Sequence, residues 1–328
     1  MSRPTIAGVA RAAGVSVASV SRVLNGLPAT EEMTERVRRA VAELGYVPDA
    51  RARSLKVGRT FQLTLAVADV GNPVYVTMMR AVEEVVSAAG YRLVVTTTGP
   101  DVVDEVALVQ GMARGYADGL LISPIRVDED LVKAIRACEV PVVVAGSVPS
   151  KAGVDTVRAN SPKGMLLAVD HLTYCGRRRI AFLNGPADTV PGAARAKGFA
   201  EALRAHDLEP IAVAEAADFT FAAGRRVSGD VLRAKPNAVI CANDLLAVGL
   251  MHELAAAGLD VPNDVAVVGM DDSELAEQSF PPLTSVNLGS AERGRRAAEL
   301  LLARIDDNDR TPRRIVVQPS LSIRRSTP

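Results

Sequence analysis

Ile6, Val9, Ala10 and Ala13 recur at the spacing of one helix face, behind a Thr5 suited to cap that helix. Gly14 breaks the pattern. A second apolar set, Val17, Val20, Val23 and Leu24, follows Ser16 and stops at Asn25-Gly26 and Pro28. A third, Met33, Val37, Ala40, Val41 and Leu44, follows Thr30 and a run of acids favourable at a helix N-terminus, and ends at Gly45. Three short helices with a tight glycine turn between the first two are predicted.

Residues 46–60, YVPDARARSLKVGRT, differ in character: Pro48 interrupts, Asp49 can cap, and 50–56 hold about two helical turns, marginal in isolation. This stretch reads as a linker that orders against a partner. From Phe61 onward, apolar runs alternate with amphipathic stretches of helical length: LTLAVAD (63–69), YRLVVTT (91–97), DGLLIS (118–123) and VPVVVAG (140–146), then RRIAFLNG (178–185), NAVICAND (237–244) and DVAVVGMDD (264–272). Continuous β-branched runs between helices indicate parallel strands buried on both faces. The predicted fold class is an N-terminal all-α unit followed by a doubly wound α/β region. The strands are too numerous for one mononucleotide-type half, so two lobes are expected, with ligand contacts at the carboxyl ends of their strands.

Charge changes this picture. The chain of 328 residues carries 38 Lys+Arg against 38 Asp+Glu, but residues 1–59 hold ten bases and five acids, a local +5 that leaves the remainder at −5. The first 27 residues contain three Arg and no acid. A cationic end on an otherwise anionic protein suggests a polyanion partner. Cys138, Cys175 and Cys241 form no C-x-x-C pair, and His171, His206 and His252 lie too far off to complete a metal site, so neither disulfide, metal nor cofactor is expected. The first residues lack the apolar core of a signal peptide, and no stretch approaches ~20 uninterrupted apolar residues. A cytoplasmic location without membrane contact is expected.

Two helices joined at Gly14 form a unit whose second member can enter a major groove with its N-terminal residues at the base edges. Its outward face offers Ser16, Val17, Ala18, Ser21 and Arg22. Arg22 suits a bidentate contact to guanine, and Val17 and Ala18 suit thymine methyl groups. Thr5, Ser19, Ser21 and Asn25 are short hydrogen-bonding residues of the kind that fix a protein on phosphates. The competing reading is an ordinary helical hairpin with a surface arginine.

The run TIAGVARAAGVSVASVSRVLNG, with the LGYVPDARARSL that follows and the lobes behind it, resembles the LacI/GalR family of bacterial transcription regulators over essentially the whole chain. The resemblance implies a helix-turn-helix headpiece over 1–47, a hinge helix or linker over 48–60, and a periplasmic-binding-protein-like effector and dimerisation domain over 61–328. Its lobes would comprise about 61–158 with 287–316, and 159–286 with 317–328. Val17 and Ala18 fall where the family reads bases, and Arg22 where it reads or anchors to guanine. Leu55 falls at the apolar wedge of the hinge, flanked by Arg51, Arg53 and Lys56, which can neutralise phosphates. The connection NGLPATEEMTERV is one residue shorter than the usual family pattern.

The resemblance also supplies a ligand set. Asn72 and Tyr75 lie in the DVGNPVY loop, Ser123 ends the third strand, and Thr189 and Arg195 lie in NGPADTVPGAARAKGF. Phe219 of ADFTFAAG aligns with an aromatic stacking position; Asn243 of CANDLLAVG and Asp271 of VVGMDDSELA complete the set. A carboxylate, an arginine, an asparagine and an aromatic face suit a polyhydroxylated ligand, a sugar or a nucleoside. Structural alternatives stand beside each: Asn243 and Asp244 as helix caps, Phe219 as core, Arg195 paired with Glu201. Gly146-Ser147 stand where many sugar-responsive relatives keep an Asp, and Thr189 and Pro191 where purine-responsive ones place Arg and Thr, which favours a sugar over a purine.

The expected function is ligand-responsive transcriptional regulation, as a repressor binding a palindromic operator as a homodimer. An exported or cytoplasmic sugar-binding protein of the same fold is the alternative. An enzyme is not expected, for no phosphate-binding glycine loop and no Ser/His/Asp set at motif spacing occurs, and adjacent Asp271 and Asp272 normally point apart.

Overall fold

A computed structural model describes residues 4–47, 54 and 58–328. The chain divides into two compact units, Met1–Thr60 and Phe61–Pro328.

In the first unit, α1 (Ile6–Ala13), α2 (Val17–Leu24) and α3 (Glu31–Leu44) are each opened by a hydroxyl: Thr5 accepts from Gly8 N, Ser16 from Ser19 N and Thr30 from Met33 N. These capping bonds satisfy amides that a helix start leaves without partners. Val9, Val20 and Val37, one from each helix, are fully buried, with Ala10, Ala13 and Ala40 filling the space between them. Burying each valine contributes roughly 1.5–3 kcal/mol. Gly14 sits in the left-handed region (φ 61°), and a Cβ there would lie 2.6 Å from the Arg36 guanidinium. Arg36 donates to Ala13 O from Nε (3.0 Å) and Nη2 (2.6 Å), and to Gly14 O (2.9 Å), so α3 ties the turn between α1 and α2. The first two helices meet at 102°.

The second unit holds two six-stranded sheets. The first is built from β1 (Gln62–Val67), β2 (Arg92–Thr97), β3 (Gly119–Ser123), β4 (Val142–Val144), β5 (Asp155–Ala159) and a late strand, β11 (Arg314–Val317), all parallel in the order β11-β5-β4-β3-β1-β2. The second contains β6 (Ile180–Asn184), β7 (Ala212–Glu215), β8 (Ala238–Cys241), β9 (Ala266–Met270), β10 (Thr284–Asn287) and β12 (Ser320–Ser322), in the order β12-β10-β9-β8-β6-β7 with only β12 antiparallel. Each sheet reverses its strand order beside its first strand, between β1 and β3 and between β6 and β8. Ligands of open α/β sheets bind at such switch points, outside the carboxyl ends.

Helices cover both faces. In the first lobe these are α4 (Pro73–Ala88), α5 (Val102–Gly111) and α6 (Glu129–Ala137); in the second, α7 (Ser161–Tyr174), α8 (Val190–Ala205), α9 (Phe221–Leu232), α10 (Asp244–Ala256) and the short α11 (Glu274–Gln278). The last helix, α12 (Ser290–Asp306), packs on α4, and its Ala297, Ala298 and Leu301 join the first lobe's core with Met78 and Val82. The chain therefore crosses between sheets three times: after β5, after β10 and between β11 and β12. Among the described residues, no single helix is long and apolar enough to cross a membrane.

Glu105, on α5, is buried (2% exposed); its Oε2 has no partner, and burial pushes its carboxyl up to about 7 despite the hydrogen bond it receives from Ile125 N–H. Between the ordinary carboxylate value and about pH 7, the folded chain holds a proton that the unfolded chain has lost. This group's contribution to stability therefore falls as pH rises through that window. Glu105→Gln is expected to raise the melting temperature at pH 8 and leave it nearly unchanged at pH 5, a difference on the order of 1–3 kcal/mol read by melts at both pH values.

Candidate functional site

The outward side of α2 carries Ser16, Val17, Ala18 and Arg22, all exposed, while Val20 points inward. Val17, Ala18 and Arg22 lie within about one turn and a half of one another, Ala18 and Arg22 on the same face at i, i+4. Ser16, Ala18, Ser19 and Arg22 line a shallow surface depression with Pro28, Ala29, Thr30 and Met33. Thr5, Ser16 and Asn25 have local structural tasks as well: two are caps, and Asn25 Nδ2 donates to Ser21 O at 2.6 Å. Ser19 Oγ is hydrogen-bonded to Ser16 Oγ (2.9 Å), and Ser21 is half-buried. Arg51, Arg53, Leu55 and Lys56 lie outside the described residues.

In the second unit a cavity of about 230 Å³ opens between the carboxyl ends of the two sheets, lined by Asn72, Tyr75, Ser123, Arg195, Phe219, Asn243 and Asp271 among others. It adjoins a larger chamber, about 920 Å³, that shares Asn72, Tyr75 and Phe219. Seven of the eight residues expected at a ligand thus gather around one space. Thr189 does not line it: the side chain is buried, its hydroxyl donates to Pro186 O (2.6 Å) and accepts from Gly192 N (3.1 Å), and it contributes only to the wall of the outer chamber. It caps α8, which carries Arg195. Asn243 combines two roles, lining the cavity while its Oδ1 caps α10 at Leu246 N and its Nδ2 holds Phe219 O at 2.9 Å.

The wall and floor are electrostatically uneven. Arg195 (7% exposed) places Nη2 3.4 Å from Asp271 Oδ1, with its guanidinium carbon 5.7 Å from the centre of the Phe219 ring. Glu201 faces Lys197 instead, at 3.9 Å. Asp271 holds φ 114°, a conformation that L residues rarely adopt and that is stored where the surroundings enforce it. Asp272 turns away to accept from Arg324 (2.7 Å), Ser322 (2.7 Å) and Asn287 (3.1 Å). The two adjacent carboxylates thus serve different places. Burial pushes the Asp271 carboxyl up, with Arg195 and Arg293 pulling it back, and burial followed by the charge of Asp271 pushes Asp244 up. Asp244 is a scaffold carboxylate, fixed by Ser273 N, Ser273 Oγ and Ser285 Oγ at 2.8, 2.8 and 2.5 Å. Burial also raises Tyr75, whose hydroxyl bonds with Ser123.

Arg293, Arg158 and Lys197 also line the cavity and were not among the expected residues. For Arg293 a signal existed: it lies four and eight positions before Ala297 and Leu301, in phase with the buried stripe of α12, where a cation is out of place unless it faces a site. Across the cleft mouth, Arg126 of the first lobe makes a bidentate pair with Asp188 of the second (Nε–Oδ2 2.8 Å, Nη2–Oδ1 3.0 Å), and Val190 N donates to Ile125 O (2.7 Å). Arg80 and Glu274 pair between α4 and α11 at 2.6 Å. The two lobes are thus joined by two ion pairs and a backbone hydrogen bond. Among the described residues, no group of three or more His, Cys, Asp or Glu is arranged to hold a metal ion.

Phe219 owes its place to Gly185, just after β6: a Cβ there would lie 2.2 Å from the ring's Cε1 and 2.5 Å from Cζ. Gly185→Ala is expected to displace the ring, lowering stability by about 1–3 kcal/mol as overpacking does and ligand affinity roughly tenfold. Melting and calorimetric titration against Phe219→Ala check this; a variant that binds like the wild type would mean that the ring does not contact ligand.

Residues 5–49 match the family described as "Bacterial regulatory proteins, lacI family", and residues 169–327 match the "Periplasmic binding protein-like domain". The chain is 36% identical over 336 aligned residues to the HTH-type transcriptional regulator CelR of Thermobifida fusca, covering 99% of this chain and 98% of that one. A solved transcriptional regulator CelR–cellobiose complex is 35% identical with a TM-score of 0.75, covering 99% and 100% of the two chains. The lac repressor dimer bound to operator and the anti-inducer ONPF superposes with a TM-score of 0.90 at 27% identity, covering 99% of each.

Proposed function

The chain belongs to the LacI family of bacterial regulatory proteins, and from that premise we propose how its residues divide the work of a ligand-responsive transcriptional repressor. It binds double-stranded operator DNA as a homodimer and takes a small-molecule effector in the interlobe cleft. The headpiece spans 1–47, the hinge 48–60 and the effector and dimerisation domain 61–328, its lobes drawn as about 61–158 with 287–316 and 159–286 with 317–328. The protein acts in the cytoplasm, and no catalytic step is assigned to the cleft.

The observation that carries the assignment of the DNA-reading face is α2 itself, held at 102° to α1 with Val17, Ala18 and Arg22 turned outward. Val17 and Ala18 meet thymine methyls, Arg22 meets guanine, and Thr5, Ser16, Ser19, Ser21 and Asn25 position the unit on phosphates. Leu55 wedges into the minor groove while Arg51, Arg53 and Lys56 neutralise phosphates beside it. A two-fold dimer matches an inverted repeat, because one short headpiece makes too few contacts for specific affinity.

In the cleft, Asp271 accepts sugar hydroxyls, Arg195 and Asn72 donate, and Phe219 and Tyr75 present apolar walls, with Ser123 and Asn243 completing the rim. The relative solved with cellobiose, and a lining that combines a carboxylate, an arginine, an asparagine and an aromatic face, favour a sugar-like effector. Ligand alters operator affinity only by binding one lobe arrangement better than another. A gel shift of the full chain on inverted-repeat DNA, with and without candidate sugars, tests the reading. Specific retention that a sugar shifts supports it; retention equal on random duplex would overturn it.

A further inference from the structure

The charge inventory of the inner cavity is unbalanced. Arg158, Arg195, Lys197 and Arg293 line it, Lys197 already facing Glu201 at 3.9 Å, against Asp271 as the one lining carboxylate among the described residues. Asp244 lies close behind but is fixed by its two serines. Nor do the neutral lining residues help: the Asn243 side chain is engaged at both ends, and Ser123 Oγ donates to Ala145 O at 3.0 Å.

Two of these cations carry a buried N–H without an acceptor, Arg195 as a buried residue and Arg293 as a half-buried one. Arg195 is 93% buried, taking its 7% exposure, and its Nε finds no acceptor among the described residues. The Nε of Arg293 is likewise buried and without an acceptor. Burial works against the charge of Arg293, with Asp271 and the hydroxyl of Tyr75 as its neighbours. One carboxylate thus stands between two guanidinium groups. A buried guanidinium without a matching anion is strongly unfavourable, and an arginine does not relieve this by losing its proton. A neutral sugar offers oxygens to the orphaned N–H groups but no charge.

We propose that the effector of this cleft is an acidic sugar, one bearing a carboxylate or a phosphate that is received by Arg293 together with Arg195. This rests on the reading of the cleft as an effector site and narrows the ligand class within it. Asp271 takes the hydroxyl groups at one end of the ligand, while Arg293 on α12 takes the anion, with Arg158 adding long-range attraction at the rim. Arginine is suited to the task because its planar fork matches either anion with two parallel hydrogen bonds. The location has a consequence for signalling: α12 is packed on the first lobe and Arg195 stands on α8 of the second, so an anion between them bridges the lobes.

The test is titration calorimetry on the full-length protein with matched probes: glucose and galactose, their uronates and aldonates, and their 6-phosphates. At least one acid is expected to bind about ten- to a hundredfold more tightly than its neutral parent, the range of one to two charge-assisted contacts. Carboxylate and phosphate probes separate the two anion types. In Arg293→Leu the preference for the acid is expected to disappear, and in Arg293→Lys to survive in part. Should the leucine variant not fold, the comparison of acid with parent in the wild type decides alone. Neutral sugars binding as tightly as every acid would overturn the acidic ligand and leave the effector site standing. Binding of neither class, in protein that still retains operator DNA, would overturn both.

Discussion

Arg22→Ala is expected to lower the affinity of the dimer for its operator by about thirtyfold to ten-thousandfold and to relax base preference at one position in each half-site. The size follows from counting: a good bidentate arginine–guanine pair discriminates by ~1–3 kcal/mol, and a two-fold dimer makes it twice. Non-specific affinity is expected to fall far less, because Arg22 then supplies only one of many positive charges near the duplex. The helix itself gives little reason for a stability effect. Arg22 is exposed on α2, and the turn between α1 and α2 is held by Arg36, not Arg22. Binding to a randomised operator library checks the prediction. Loss spread evenly over all sequences, with a shallower salt dependence, would reassign Arg22 to a phosphate.

The headpiece was readable because every local signal agrees. Thr5, Ser16 and Thr30 cap the helices that apolar spacing predicts, and Gly14 has the positive φ that its place in the turn demands. In the second unit, β1, β3, β6, β8 and β9 were legible since burial on both faces leaves near-continuous apolar runs. β5, β7, β10, β11 and β12 do not stand out in the sequence as apolar runs. They are three to five residues long, and β5 (DTVRA) and β7 (AVAE) carry charged residues that no apolar run would show. The cleft was legible through the residues that follow strand ends, but its charge was not. Arg293 arrives from a helix far along the chain, and only the third dimension sets it beside Asp271. Thr189 is the reverse case: a polar residue in the right loop, on the wall of the outer chamber, whose hydroxyl is already used by the backbone.

Asp271→Asn is expected to weaken effector binding at least a hundredfold and, in the same protein, to raise the melting temperature without ligand. The first effect follows from chemistry: a carboxylate that accepts two ligand hydroxyls makes charge-assisted bonds, each worth ~1.5–3 kcal/mol, and an amide replaces one acceptor by a donor. The second follows from the raised pKa. Burial makes the ionised form of Asp271 less favourable in the folded chain than in the unfolded one, even with Arg195 at 3.4 Å, and Asp244 beside it is raised in turn by the charge of Asp271. The raised value already includes the pull of Arg195 and Arg293, so a neutral isostere that keeps an oxygen toward Arg195 removes a net burden. The sign is fixed by linkage: the wild-type chain loses stability as pH rises from the ordinary carboxylate range through the raised value, and the asparagine variant loses the part contributed by this group. Effector binding runs the other way, weakening as pH falls and Asp271 gains its proton. Melting curves with and without ligand, taken at pH 5 and pH 8, separate the two effects. A variant that melts lower than the wild type would make Asp271 a structural residue held by Arg195, whereas gain of stability with loss of the ligand shift identifies a carboxylate kept in a strained, buried place for binding.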